Sequence, residues 1–280
     1  MTNRVKRSGT LLAIVSLATV RAPSKFVSCT VSQRFPHMRV LTNRLGRLAK
    51  SAAIISLSFF FIHHADAQSA LFNIPTADIL GKGEKYVEAD LDINFARLSD
   101  GGWQSFGFAG VYGVAKNAEV GVNAYLVRSA DGYESLELQP NFKYRFYKSE
   151  ENGVTASAGA IGYLPASRRA ASDASASVYV MASKEFKKSW TPRFSAGAYQ
   201  LVGTSADDGD RRGLMLGVEQ PVHSRVSLIA DWNSGKNRFG YSAAGVGITL
   251  TKNSYLYSAY YFGNEGRGNN SLGVYYGFSF

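Results

Sequence analysis

Residues 136–146, LELQPNFKYRF, decide the fold. Leu136, Leu138, Pro140, Phe142, Tyr144 and Phe146 alternate with Glu137, Gln139, Asn141, Lys143 and Arg145. Side chains of an extended strand point alternately to opposite faces, so the stretch reads as a strand with one apolar and one polar face. On a helix the same residues would spread around the whole circumference.

Outward from this stretch the two-residue period recurs. Upstream, Val87, Ala89, Leu91, Ile93 and Phe95 oppose Glu88, Asp90, Asp92 and Asn94, and Val120, Val122, Ala124 and Leu126 oppose Glu119, Gly121, Asn123 and Tyr125. At the C-terminus Leu272, Val274, Tyr276, Phe278 and Phe280 oppose Ser271, Gly273, Tyr275, Gly277 and Ser279. In all, about twelve segments are separated by turn-type residues: 84–97, 102–114, 118–128, 134–147, 153–164, 174–186, 192–203, 212–221, 225–233, 239–251, 254–263 and 270–280. The segments at 153–164 and 192–203 are rich in Ala, Gly and Ser and carry the least pattern.

If the first strand runs outward, the connections at 98–101, 129–133, 165–173, 204–211, 234–238 and 264–269 share one side. Those at 115–117, 148–152, 187–191, 222–224 and 252–253 share the other and are shorter on average, the loop asymmetry of membrane barrels. The expected fold class is all-β: a closed antiparallel up-and-down transmembrane β-barrel of about twelve strands over residues 84–280, with a short N-terminal segment at 68–83.

Alternation alone does not say which face looks out, since a soluble ligand-binding barrel would bury the same apolar residues. Strand number argues against that, because about eight strands already enclose a side-chain-filled interior and twelve would leave a wide apolar hole. Charge argues the same way: an Arg or Lys on the lipid face costs about 2–4 kcal/mol at the midplane. The polar faces therefore line the lumen, through Glu88, Asp90, Asp92, Glu119, Glu137, Lys143, Arg145, Arg193, Glu219, Arg225 and Asp231. Aromatic residues near strand ends (Phe106, Tyr112, Tyr133, Tyr147, Tyr163, Phe186, Tyr241, Tyr255 and Tyr261) are expected at the membrane–water boundary, where amphipathic rings are favoured.

The formal charge of +10 is not a property of this barrel. Ten of the 31 basic residues and one of the 21 acidic ones lie in residues 1–67, which leaves the remainder with 21 against 20, a net of +1. Nucleic-acid binding, which needs a basic stripe on the folded domain, is not indicated. Residues 1–67 read instead as an N-terminal extension ending in a cleavable secretory signal at about 38–67. Arg44, Arg47 and Lys50 make its positive region, AAIISLSFFFI at 52–62 its apolar run, and Ala65-Asp66-Ala67 its cleavage pattern. Met38 then reads as the true start and Gln68 as the first mature residue. An organelle transit peptide is the competing reading of this Arg-rich region, and the A-x-A ending fits it less well. The one cysteine, Cys29, falls in the part removed, so neither disulfides nor thiol chemistry are expected.

The C-terminal Tyr276-Gly277-Phe278-Ser279-Phe280 resembles the ending of Gram-negative outer-membrane β-barrels. That resemblance implies a bacterial outer-membrane location and makes Tyr276, Phe278 and Phe280 the signal read by the barrel-assembly machinery. Residues 71–78, LFNIPTAD, resemble the opening of porin-like barrels, including those associated with exopolysaccharide secretion.

No catalytic, metal or cofactor motif is present. His223 is the only histidine after residue 67 and lies in a connection of the short set, out of reach of any hydroxyl on the outer loops. TSADDGD at 204–210 gathers Asp207, Asp208 and Asp210 but lacks the full calcium-loop spacing and reads as a solvated loop. Arg168, Arg169, Arg211, Arg212, Lys236, Arg238 and Arg267 fall on or near outer loops, where lipopolysaccharide presents phosphates. The expected partners are outer-membrane lipid, lipopolysaccharide and a small solute or oligosaccharide. The expected function is a narrow passive channel without strong ion selectivity, since lumen charges of both signs occur. The alternative is a non-conducting structural or accessory barrel for envelope integrity or exopolysaccharide export, closed by pairing of those charges, with Ala156, Ala158, Ala160, Ala196 and Ala198 on its outward faces.

Overall fold

A computed structural model describes residues 70–133, 136–166, 174–187, 190–203 and 209–280. Thirteen strands are present among them: β1 (Lys85–Ile93), β2 (Gln104–Ala115), β3 (Ala118–Ser129), β4 (Gly132–Tyr133), β5 (Glu137–Ser149), β6 (Val154–Pro165), β7 (Ser175–Lys184), β8 (Arg193–Val202), β9 (Arg212–His223), β10 (Val226–Asn233), β11 (Tyr241–Thr249), β12 (Ser254–Gly263) and β13 (Ser271–Ser279). β4 is a two-residue hairpin return on the end of β3. The other twelve each pair antiparallel with their sequence neighbours. β1 also pairs with β13, from Tyr86↔Ser279 to Ile93↔Leu272, which closes the ring. The sealed seam ends with Lys85 and Phe280 exchanging backbone hydrogen bonds of 3.0 Å each. Closure leaves no edge strand, the condition for β-structure in hydrocarbon.

Both weakly patterned segments form staves, β6 and β8. β1 stops four residues short of its expected end. There the Asn94 amide donates to the carbonyls of Gly268 and Asn270, and its oxygen accepts from the Ala96 amide. This side-chain turn replaces the ladder and bends the chain into the 94–103 connection.

The faces fall as alternation requires. Phe142, Tyr144, Val120, Val122, Val178, Val180, Leu214, Leu216 and Val274 are exposed around the outside, while Asp90, Glu119, Lys143, Ser157, Ser177 and Asp231 are buried within. The inward face is more aromatic than expected. Tyr163, Tyr255 and Tyr261 are buried and Tyr241 packs edge-on against Tyr261, so these four lie inside and not in the boundary girdle. The reason is parity. Each sits an even number of residues from an inward neighbour on its own strand, Tyr163 from Ser157 and Tyr255 from Tyr257. The inward rings find room over glycines opposite them, in the pairs Gly107↔Tyr125, Gly159↔Tyr179, Gly213↔Tyr199 and Gly247↔Tyr257. Of the remaining expected girdle residues, Phe106, Tyr112, Tyr147 and Phe186 are exposed, and the Tyr133 side chain lies outside the described residues.

Candidate functional site

The site is the barrel interior, and its principal occupant is the chain itself. Residues 70–81 run up inside the ring from the end where β1 begins. Ile74 and Ala77 are completely buried, and Leu71, Thr76, Ile79 and Leu80 nearly so. Leu71, Ile74, Ala77 and Leu80 share one apolar cluster with Tyr179, Met181, Met215 and Ile229 of the wall. At the tip the chain doubles back: Ala70 bridges Pro75, and the Leu71 amide donates to the Ile74 carbonyl at 2.8 Å. Two wall glycines make room for it. A Cβ on Gly217 would sit 2.4 Å from the Leu71 side chain, and one on Gly113 only 1.9 Å from the Gly81 carbonyl oxygen.

Charged side chains of the wall hold this segment. Asp231 Oδ2 accepts from the backbone amides of Phe72 (2.8 Å) and Asn73 (2.7 Å), and Oδ1 accepts from Asn73 Nδ2 (2.7 Å). Nearer the root, Glu119 Oε2 accepts from the Leu80 amide at 2.8 Å, and its other oxygen pairs with Lys143 Nζ at 3.0 Å. Lys143 also donates to the Asp78 carbonyl at 2.8 Å, while the Asp78 carboxylate pairs with Arg193. Mid-strand acids and bases that alternation placed inside are thus tied to one another through a segment without alternation.

The remaining expected interior residues divide by position. Glu88, Asp90, Asp92, Glu137 and Lys143 line a cavity. Arg145 is half-buried near the short-turn end and donates to the Lys116 carbonyl at 3.1 Å. Glu219 is half-buried opposite Arg193 in the ladder. Arg225 departs from expectation: β9 and β10 meet in a two-residue turn, 224–225, so Arg225 is exposed at the rim and not on a stave.

The cavity, about 860 Å³, lies between the segment's tip and the long connections. It reaches down the β1–β3 side as far as Tyr86 and Val111 and up to the 98–103 and 129–131 connections. The 234–240 connection folds across its mouth. Arg238 reaches over to β5 and donates from Nη2 to both Glu137 oxygens at 2.7 Å, its guanidinium lying over the rings of Tyr163 and Phe239 at 4.9 and 4.6 Å. Asn237, buried beneath, donates to Tyr199 Oη at 2.8 Å and to the Asp210 carbonyl at 2.6 Å. Sequence reading did not locate either the inner segment or this strap.

His223 is exposed at the short-turn end of β9, where its Nδ1 accepts from the Arg225 amide at 3.3 Å. Among the described residues no group of three or more His, Cys, Asp or Glu is placed to hold a metal ion. Arg168, Arg169, Asp207 and Asp208 lie outside the described residues. Arg211, Arg212, Lys236 and Arg267 are exposed on the long-connection side. At the C-terminus Tyr276, Phe278 and Phe280 point outward with the rest of the apolar belt. A closed ring of strands wearing such a belt is a membrane-spanning barrel, and barrels of this construction reside in bacterial outer membranes.

No protein-family model and no curated protein matches the sequence. Solved structures do resemble it. An outer-membrane channel of Pseudomonas putida F1 is 14% identical with a TM-score of 0.47, covering 73% of this chain and 98% of that one. Outer membrane phospholipase A of Escherichia coli is 14% identical with a TM-score of 0.44, covering 78% of this chain and 94% of that one. Outer membrane protein Omp33 of Acinetobacter baumannii is 12% identical with a TM-score of 0.42, covering 71% of this chain and 99% of that one.

Proposed function

We propose that the protein is a porin-like channel of the outer membrane for small polar solutes, and that residues 70–81 are its gate. The carrying observation is how that segment is seated. It belongs to none of the strands, its tip hangs on Asp231, its root on Glu119, Lys143 and Arg193, and a cavity stands between it and the outer connections. Ties of this kind are worth about 1.5–3 kcal/mol each, within the range that a ligand's differential affinity for an open state supplies. The reading includes no catalytic step. Tyr276, Phe278 and Phe280 serve as the assembly signal, and lipopolysaccharide phosphates are the neighbours of Arg211, Arg212 and Arg267.

One observation favours a second reading. Leu71, Ile74, Ala77 and Leu80 join the wall in a continuous apolar cluster, as a permanent filling would. The protein is then a non-conducting structural or accessory barrel, serving envelope integrity or exopolysaccharide export. Planar-bilayer recording separates the two. The channel reading expects brief steps from the intact protein and long, steady steps once residues 70–80 are deleted. A deletion variant that keeps its heat-dependent gel mobility yet passes no current refutes the channel.

A further inference from the structure

The cavity above the inner segment is not electrically balanced. Its basic side chains are occupied: Lys143 by Glu119 and the Asp78 carbonyl, Arg238 by Glu137. The acids of β1 are not. Glu88, Asp90 and Asp92 face the cavity in a row, about 7 Å from one to the next along the strand. Each accepts from one tyrosine, Tyr86 Oη to Glu88, Tyr125 Oη to Asp90 at 2.9 Å and Tyr275 Oη to Asp92 at 2.6 Å, and among the described residues none has a basic partner. A phenol hydroxyl occupies one lone pair of a carboxylate and supplies no countercharge.

A second observation, reaching beyond this row to β10, points the same way. Two buried side-chain atoms in the cavity lining lack any hydrogen-bond partner among the described residues, Asp90 Oδ1 on β1 and Asn233 Oδ1 on β10. Both residues are more than nine-tenths buried, and both atoms are acceptors. A molecule that completes this cavity therefore brings hydrogen-bond donors. Tyr257 and Tyr261 add rings to the lining, whose faces attract cations. The spread of the row suits an extended molecule with separated positive groups, and the volume lies in the range of small-molecule sites.

We propose that the cavity binds an organic polycation, an aliphatic di- or triamine or a guanidino compound, with Glu88, Asp90 and Asp92 as its counter-ions. This names a solute class for the channel and to that extent rests on the channel reading. It also replaces the expectation of weak ion selectivity, because the two bases that line the cavity, Lys143 and Arg238, are neutralised in place and these acids are not.

Isothermal titration of the detergent-purified, full-length barrel with spermidine, 1,4-diaminobutane and neutral 1,4-butanediol tests the assignment. Both amines bind, spermidine the tighter, and butanediol does not. Asp90→Asn weakens diamine binding about tenfold or more, a loss of one charge-assisted contact, and Asp92→Asn weakens it in the same sense. Heat-dependent gel mobility confirms that each variant is folded, and the diamine–diol contrast on the unaltered protein needs no variant at all. Butanediol binding as tightly as the diamine, an unchanged affinity in folded Asp90→Asn, or equal displacement by potassium or calcium ions overturns the proposal. Titration in detergent requires no conduction. Amine binding without current sinks the channel and keeps the site, and current without amine binding does the reverse.

Discussion

Removing the Asp231 carboxylate is the sharpest perturbation of the inner segment. Asp231 is 5% exposed and accepts three hydrogen bonds from the tip, two from backbone amides and one from Asn73. A hydrogen bond to a charged group contributes about 1.5–3 kcal/mol. Three on one carboxylate are not additive, and water entering the vacated space recovers part of the loss, so Asp231→Ala should favour release of the tip by about 3–4 kcal/mol. At 1.4 kcal/mol per factor of ten, the released population rises roughly a hundredfold to a thousandfold. Cysteine accessibility measures this directly, because the chain's single cysteine, Cys29, lies far upstream of the segment. Thr76 is 4% exposed and makes a sensitive reporter. In a Cys29→Ser, Thr76→Cys background, labelling by a charged maleimide should accelerate by that factor when Asp231→Ala is added. Asp231→Asn, which keeps one acceptor oxygen, should fall between. A labelling rate within about threefold of the parent, in a barrel that still shifts on heating, would show that Asp231 does not hold the segment.

Three further outcomes follow from the wall and the outer face. Lys143→Ala leaves Glu119, 1% exposed on its side chain, without its buried countercharge and should cost about 3–5 kcal/mol in urea unfolding, whereas Lys143→Met with Glu119→Leu should recover much of that. Gly113→Ala places a Cβ 1.9 Å from a backbone oxygen that has no slack, so the 70–81 segment should become protease-sensitive while the folded barrel persists on unboiled gels. Phe142→Arg puts a charge at mid-strand on the apolar belt and should cost about 2–4 kcal/mol of stability in lipid; an unchanged midpoint would mean that this face does not meet acyl chains.

The staves and their inward and outward faces were legible because a strand's geometry repeats every two residues, and Phe142 and Lys143 cannot exchange sides without a shift of register. The same rule, applied strictly, would have placed Tyr163, Tyr255 and Tyr261 inside. Nearness to a strand end does not decide which face a ring takes; parity does, and the glycines facing the inward tyrosines mark the same side. The 70–81 segment was not legible because it has no period: its conformation is imposed by the wall. Traces of it stood in the wall, in a lone mid-strand carboxylate at Asp231 and in small inward residues at Gly113 and Gly217. The cavity's charge was hidden for a related reason, since which acids stay uncompensated depends on pairings between residues as distant as Glu137 and Arg238.

The inner segment leads directly into β1, and β1 is one lip of the seam that β13 seals. A peptide rooted so closely at the closing edge takes its height from the pairing there. Its root is held on the β3 side by Glu119 and its tip on the β10 side by Asp231, so a two-residue slip of β1 against β13 would offset the two anchors by about 7 Å. The seam is thus a gauge for the interior: strands joined out of step would still make a ring, but one whose lining no longer matches what it encloses.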